Sequence, residues 1–104
     1  MIRTIRARVL QHAARQTYAT GRHDAALRRL SLADAVASDT GSLRLDRIVF
    51  VAGREGGKVD VEELESLGVD RVTARIRELA RAGILSAEET HRAEDATRWR
   101  GGRR

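Results

Sequence analysis

Apolar residues recur along this chain at intervals of three and four, and that pattern predicts a succession of helices. Ile2, Ile5, Val9 and Ala13 make a first apolar stripe, with Arg3, Arg8 and Arg15 largely off it. Gly21 supplies a stop near Thr20. A second helix is expected from Asp24 to about Ala37, burying Ala26, Leu27, Leu30 and Ala33. The run Asp39-Thr-Gly-Ser42 is the clearest internal break, and it divides a helical N-terminal hairpin from the rest of the chain. Ser42 then caps a third element, in which Leu45, Ile48, Val49 and Ala52 fall at helical spacing. The segment Ile48-Val-Phe-Val-Ala52 also reads as a short buried strand, and that alternative stays open.

The loop Arg54-Glu-Gly-Gly-Lys58 is not a phosphate-binding loop, because neither serine nor threonine follows the lysine and the spacing is wrong. Asp60 is an N-cap, Glu63 occupies the matching capping-box position, and Leu64 and Leu67 point inward. Glu62, Glu63 and Glu65 crowd the first turn, where the helix dipole favours negative charge. Gly68 can take a positive φ and close this short helix, and Asp70 is read as the N-cap of the next. In that next helix Val72, Ile76, Leu79 and Gly83 form one buried stripe. Ala74, Arg77, Glu78 and Arg81 lie on the opposite side, with Arg71, Thr73 and Arg75 on the flanks. Ser86-Ala-Glu-Glu89 is a capping box that opens a last helix. There Glu88 with Arg92, and Glu94 with Arg98, stand at the favourable acid-before-base spacing.

From Leu64 to Leu85, the residues Leu67-Gly68-Val69, Val72, Ile76, Leu79 and Ala82-Gly83-Ile84-Leu85 resemble the core of winged-helix and helix-turn-helix transcription regulators. The resemblance covers about a quarter of the chain, or two fifths with the preceding helix. It implies a recognition helix from Arg71 to Ala82, contacting DNA through Arg71, Thr73, Ala74, Arg75 and Arg77. A helix of this kind buries one stripe and lays the other in a major groove about 12 Å wide, where arginines meet phosphates or guanine edges. The turn after Gly68 is one residue shorter than the commonest spacing. A winged helix would continue after Leu85 into a hairpin, whereas this chain starts a helix there, so a wingless variant is expected and a wing is the alternative.

Composition sharpens the picture. A chain of 104 residues supports one modest core. It has no cysteine, which excludes disulfides and thiolate chemistry, and no proline, which suits a nearly all-helical fold. With one Phe, one Tyr and one Trp, the core must be built from aliphatic side chains, and dimerisation would bury more. The formal net charge of +5 conceals two basic ends around an acidic middle. Residues 1–30 carry seven arginines and one aspartate, residues 31–70 four basic and nine acidic groups, and residues 71–104 nine arginines and five acids. All but one of the twenty basic residues are arginine, the side chain suited to bidentate phosphate contact. GC-rich coding would account for the choice of arginine, but less readily for its clustering.

The acid-free first 23 residues suit a dimerisation helix, a nucleic-acid arm, a membrane-surface helix or an import signal. Packing against a partner protomer is the expectation adopted. No run approaches the length of a transmembrane helix and no secretory core is visible, so the expected location is cytoplasmic. The tail Arg98-Trp-Arg-Gly-Gly-Arg-Arg104 joins an aromatic to four arginines and is expected to be disordered over its last four residues. His12, His23 and His91 are far apart, and His91 between Glu88 and Glu94 is read as salt-pair decoration rather than a metal face. His12, near the first apolar stripe, is read as a buried imidazole or a pH-sensitive contact. Neither an enzyme, nor a cofactor, nor a metal is expected.

The chain therefore reads as a mostly all-α, DNA-binding homodimer. Residues 1–41 are basic amphipathic helices expected to serve dimerisation, 42–85 a trihelical helix-turn-helix core, and 86–104 a C-terminal helix and basic tail. The expected contacts with double-stranded DNA are Arg71, Thr73, Ala74, Arg75 and Arg77 at the groove, with Arg81, Arg98 and Arg100 on phosphates. RNA stays open as a partner, since phosphate attraction is common to both. The alternative function is a non-enzymatic interaction module of a larger nucleoprotein or viral assembly.

Overall fold

The computed structural model describes residues 2–36 and 41–102, with side chains described over 5–35 and 41–98. Expectations that involve Ala37, Asp39, Arg103 and Arg104, or the side chains of Ile2, Arg3, Trp99 and Arg100, lie outside these residues. Six helices succeed one another: α1 (Ile2–Ala19), α2 (His23–Val36), α3 (Gly41–Gly53), α4 (Val61–Leu67), α5 (Val69–Arg81) and α6 (Ala87–Gly102). The mostly all-helical architecture read from the sequence is thus the observed one. Among the described residues there is neither a strand nor a helix long and apolar enough to cross a membrane.

Helices α1 and α2 form the N-terminal hairpin around a three-residue turn, Thr20 to Arg22. The side of α1 that faces the core is not the one its apolar stripe suggests. Ala7, Ala14 and Tyr18 are buried, whereas Ile5 and Val9 of the expected stripe are exposed, as is His12. Small alanines let α1 lie close against its neighbours, and that same side must carry Gln11 and Arg15 to polar partners on α3. Helix α2 buries Ala26, Leu30 and Ala33, with Leu27 half-buried, as its pattern predicts.

Helix α3 is the centre of the molecule. Leu43, Leu45, Ile48, Val49, Phe50 and Ala52 are all buried, on more than one side. A helix surrounded by others is apolar nearly all round, which is why this segment also resembled a buried strand. The strand alternative is overturned. Ser42 lies within the first turn of α3 rather than capping it. Residues from all six helices join one cluster of buried side chains, Ala93 from α6 included.

Asp60 caps α4 by accepting from the backbone N–H of Glu62 (3.0 Å) and Glu63 (3.4 Å). The reciprocal half of the box is not made, because the Glu63 carboxylate turns to Arg47 (3.1 Å) and Arg44 (3.5 Å) on α3. Only Gly68 separates α4 from α5. Its φ of 96° is open to glycine at little cost, and its N–H donates to the carbonyl of Leu64. With so short a connection Asp70 is already inside α5 and does not cap it. The capping box of α6 is complete: Ser86 N–H donates to Glu89 Oε1 (2.8 Å), and Glu89 N–H donates to Ser86 Oγ (3.1 Å). Helix α6 stands where a wing would have begun, and it packs on α3, α4 and α5.

Candidate nucleic-acid interface

Helix α5 buries the apolar stripe its sequence predicts, except that Gly83 is exposed and lies beyond the helix end at a φ of 79°. Val72, Ile76 and Leu79 are buried, and Ile84 and Leu85 join them in the core after the helix ends. Arg71, Ala74, Arg77, Glu78 and Arg81 are exposed, and Thr73 is half-buried. Among the described residues Arg71, Arg77 and Arg81 form no ion pair and no side-chain hydrogen bond, so their guanidinium donors face water. These three come from one helix, and no other described segment of the chain covers them.

Arg75 has a different fate. Its side chain retains only 14% of its exposure, and its Nη1 donates to the Asp46 carboxylate and to the carbonyl of Ser42 (3.2 Å). Nη2 reaches Ser42 Oγ at 3.3 Å, and Nε lies 3.3 Å from Glu78. The expected place of Arg75 among the groove-facing residues is therefore corrected. A fully buried carboxylate draws it inward, because an ion in the interior must be paired.

Asp46 holds three helices together. Arg15 of α1 donates to it twice, from Nε at 2.7 Å and Nη2 at 3.1 Å, and Gln11 Nε2 adds a further bond at 3.1 Å. Gln11 Nε2 also lies 3.1 Å from Ser42 Oγ. The bond to Asp46 lifts the Arg15 guanidinium above its ordinary value, against the opposing effect of burial. Sequence reasoning passed over Asp46. Its signal was an acid embedded in an apolar helical run, three residues after Leu43 and four before Phe50, a position that demands a charged partner.

The remaining expected contacts separate from α5. Arg98 is an exposed residue of α6, 3.7 Å from Asp95, and the side chain of Arg100 is outside the described set. A polar cleft of about 610 Å³ lies elsewhere, between the α1–α2 turn, the loop after α3 and the start of α6. Its basic side chains already have partners: His23 with Glu89 (2.6 Å), Arg54 with Asp24 (2.9 Å) and Arg92 with Glu88 (3.4 Å). Beneath it the rings of His23, Tyr18 and Phe50 stack, and Tyr18 Oη donates to the Phe50 carbonyl at 2.8 Å. Burial, the largest influence, pushes the Tyr18 phenol above its ordinary range, and the charge of Glu89 adds to it. Among the described residues no cluster of His, Asp and Glu is arranged to hold a metal ion.

Compared with protein-family models, curated proteins and solved structures, the chain matches none.

Proposed function

We propose that this protein binds double-stranded DNA through the outer face of α5, as a transcription regulator of helix-turn-helix type. The observation that carries the reading is the division of labour among the arginines of one helix. Arg71, Arg77 and Arg81 are exposed and unpaired, while Arg75 is spent on Asp46. Free guanidinium groups supply phosphate contacts, and those that reach base edges supply discrimination. The Asp46 clamp and the buried Val72, Ile76 and Leu79 hold the rod from which these groups project. Ala74 is exposed between them and leaves room for the close approach of a base pair, and Thr73 stands at the margin. Arg75 acts as a positioning residue and not as a reader. Arg98 and Arg100 are the proposed outlying phosphate contacts. Cytoplasmic residence and a paired arrangement of protomers on a palindromic site belong to the same proposal.

Titration against a duplex across a range of salt concentrations tests it. The slope of log affinity against log salt should be steep, and Arg71→Ala, Arg77→Ala and Arg81→Ala should each reduce it by about one phosphate. Selection from a random duplex library should return a preferred site. Absence of association with any duplex at about 50 mM salt would overturn the proposal and favour the interaction module. A slope unaffected by the triple variant would also overturn it.

A further inference from the structure

The outer side of α1 carries large apolar side chains that no described part of the chain covers. Ile5 and Val9 are each 61% exposed, and Leu32 on the neighbouring helix is 59% exposed. Along α1 the residues Ile5, Val9, His12 and Gln16 are all exposed, at intervals of four, three and four. That is the spacing with which one helix presents a seam to another. The buried residues Ala7, Ala14 and Tyr18 lie on the opposite side, so the seam is additional to the core.

The borders of this seam have one sign of charge. Arg6 and Arg8 flank it, and Arg28 and Arg29 are exposed on α2 one turn before Leu32. None of the four is engaged in an ion pair among the described residues. The hairpin has two acids: Asp24, at the turn and paired with Arg54, and Asp34, which is half-buried with one carboxylate oxygen enclosed.

We propose that this seam docks an acidic amphipathic helix of another protein, whose apolar stripe covers Ile5 and Val9 and whose carboxylates meet Arg6 and Arg8. Charge selects this occupant. A second copy of α1 would set arginines against arginines along both edges, and like charges there act against pairing. A nucleic-acid duplex would meet the arginines but leave the apolar side chains uncovered. A bilayer surface rewards a broad apolar face, whereas here His12 and Gln16 come directly after Ile5 and Val9 along the seam.

The test uses the full chain and two synthetic helical peptides of about three heptads, each with leucine on the seam. One carries glutamate on the flanks, the other lysine. Fluorescence anisotropy should show binding of the glutamate peptide, weakened by salt, and little or none of the lysine peptide. Val9→Asp should weaken binding by about tenfold or more, since an apolar contact is replaced by a charge. Its circular dichroism and duplex binding should be unchanged, because Val9 is exposed on the side of α1 opposite its buried residues Ala7, Ala14 and Tyr18. The double variant Arg6→Glu/Arg8→Glu should transfer the preference to the lysine peptide. Equal binding of both peptides, or binding of neither, would overturn the proposal. Sedimentation that shows a wild-type dimer dissolved by Val9→Asp would overturn it in favour of a second copy. Binding to mixed phosphatidylcholine and phosphatidylserine vesicles that depends on Val9 would overturn it in favour of a membrane surface.

Discussion

Nε of Arg15 donates to Oδ2 of Asp46 across 2.7 Å, from the first helix of the chain to the third. Arg75 of α5 grips the other oxygen of the same carboxylate. One buried anion thus ties the N-terminal hairpin to the helix whose outer face is the candidate interface, and it fixes how that helix is presented. A buried ion pair adds little when compared with well-packed apolar groups, but removing one partner leaves the others uncompensated.

Asp46→Ala should therefore destabilise the protein by about 3–5 kcal/mol, since it strands two arginines and Gln11. Urea denaturation reads this as a lower midpoint at an unchanged slope. A loss below about 1 kcal/mol would show that water replaces the carboxylate easily.

Two arginines two residues apart should behave oppositely. Arg75→Ala should cost about 2–4 kcal/mol, because Asp46 keeps only part of its compensation. Arg77→Ala, on the exposed face, should stay within about 0.5 kcal/mol of the parent and lose duplex affinity instead. Equal stability losses in the two variants would refute the division of roles.

The single tyrosine gives a pH signature. Its phenol is raised in the folded state, so folding favours the neutral form. The associated stability is fully present below the unfolded value of about pH 10 and is lost as pH rises beyond it towards the folded value. Denaturation measured across that alkaline window should show a falling midpoint, which Tyr18→Phe should flatten. The same variant should cost about 1 kcal/mol at neutral pH through the lost bond to Phe50.

Gly53 sits at a close approach of α3 to α1 and α6. A Cβ there would come within 2.7 Å of Tyr18 Oη and 3.3 Å of the Glu89 carbonyl. Gly53→Ala should cost about 1–3 kcal/mol, because the tyrosine is stacked and has little room to move. Thermal melting measures it, and an unchanged midpoint would mean that the ring shifts freely.

Much of the fold was legible from the residues. The stop after α1, the stripes of α2 and α5, the turn at Gly68 and the reciprocal box at Ser86 and Glu89 are local devices that short spacings reveal. Glu63 and Asp70 show where local reading misleads. Each stands at a correct capping position, yet Glu63 finds Arg44 and Arg47 on α3, and Asp70 is carried inside α5 by the brevity of the turn. At the candidate interface the exposed positions of Arg71, Ala74, Arg77 and Arg81 were set by periodicity, whereas the fate of Arg75 was not.

The chain alone determined where α1 and α4 stop, where α4 and α6 start, and which flank of α5 is apolar, because caps and three- or four-residue intervals act within a turn or two. Tertiary structure decided that α1 turns Ile5 and Val9 outward, that α3 is enclosed, and that Arg75 serves Asp46. Those outcomes depend on partners some thirty residues away, and a periodic pattern contains no record of which distant charge a buried carboxylate will recruit.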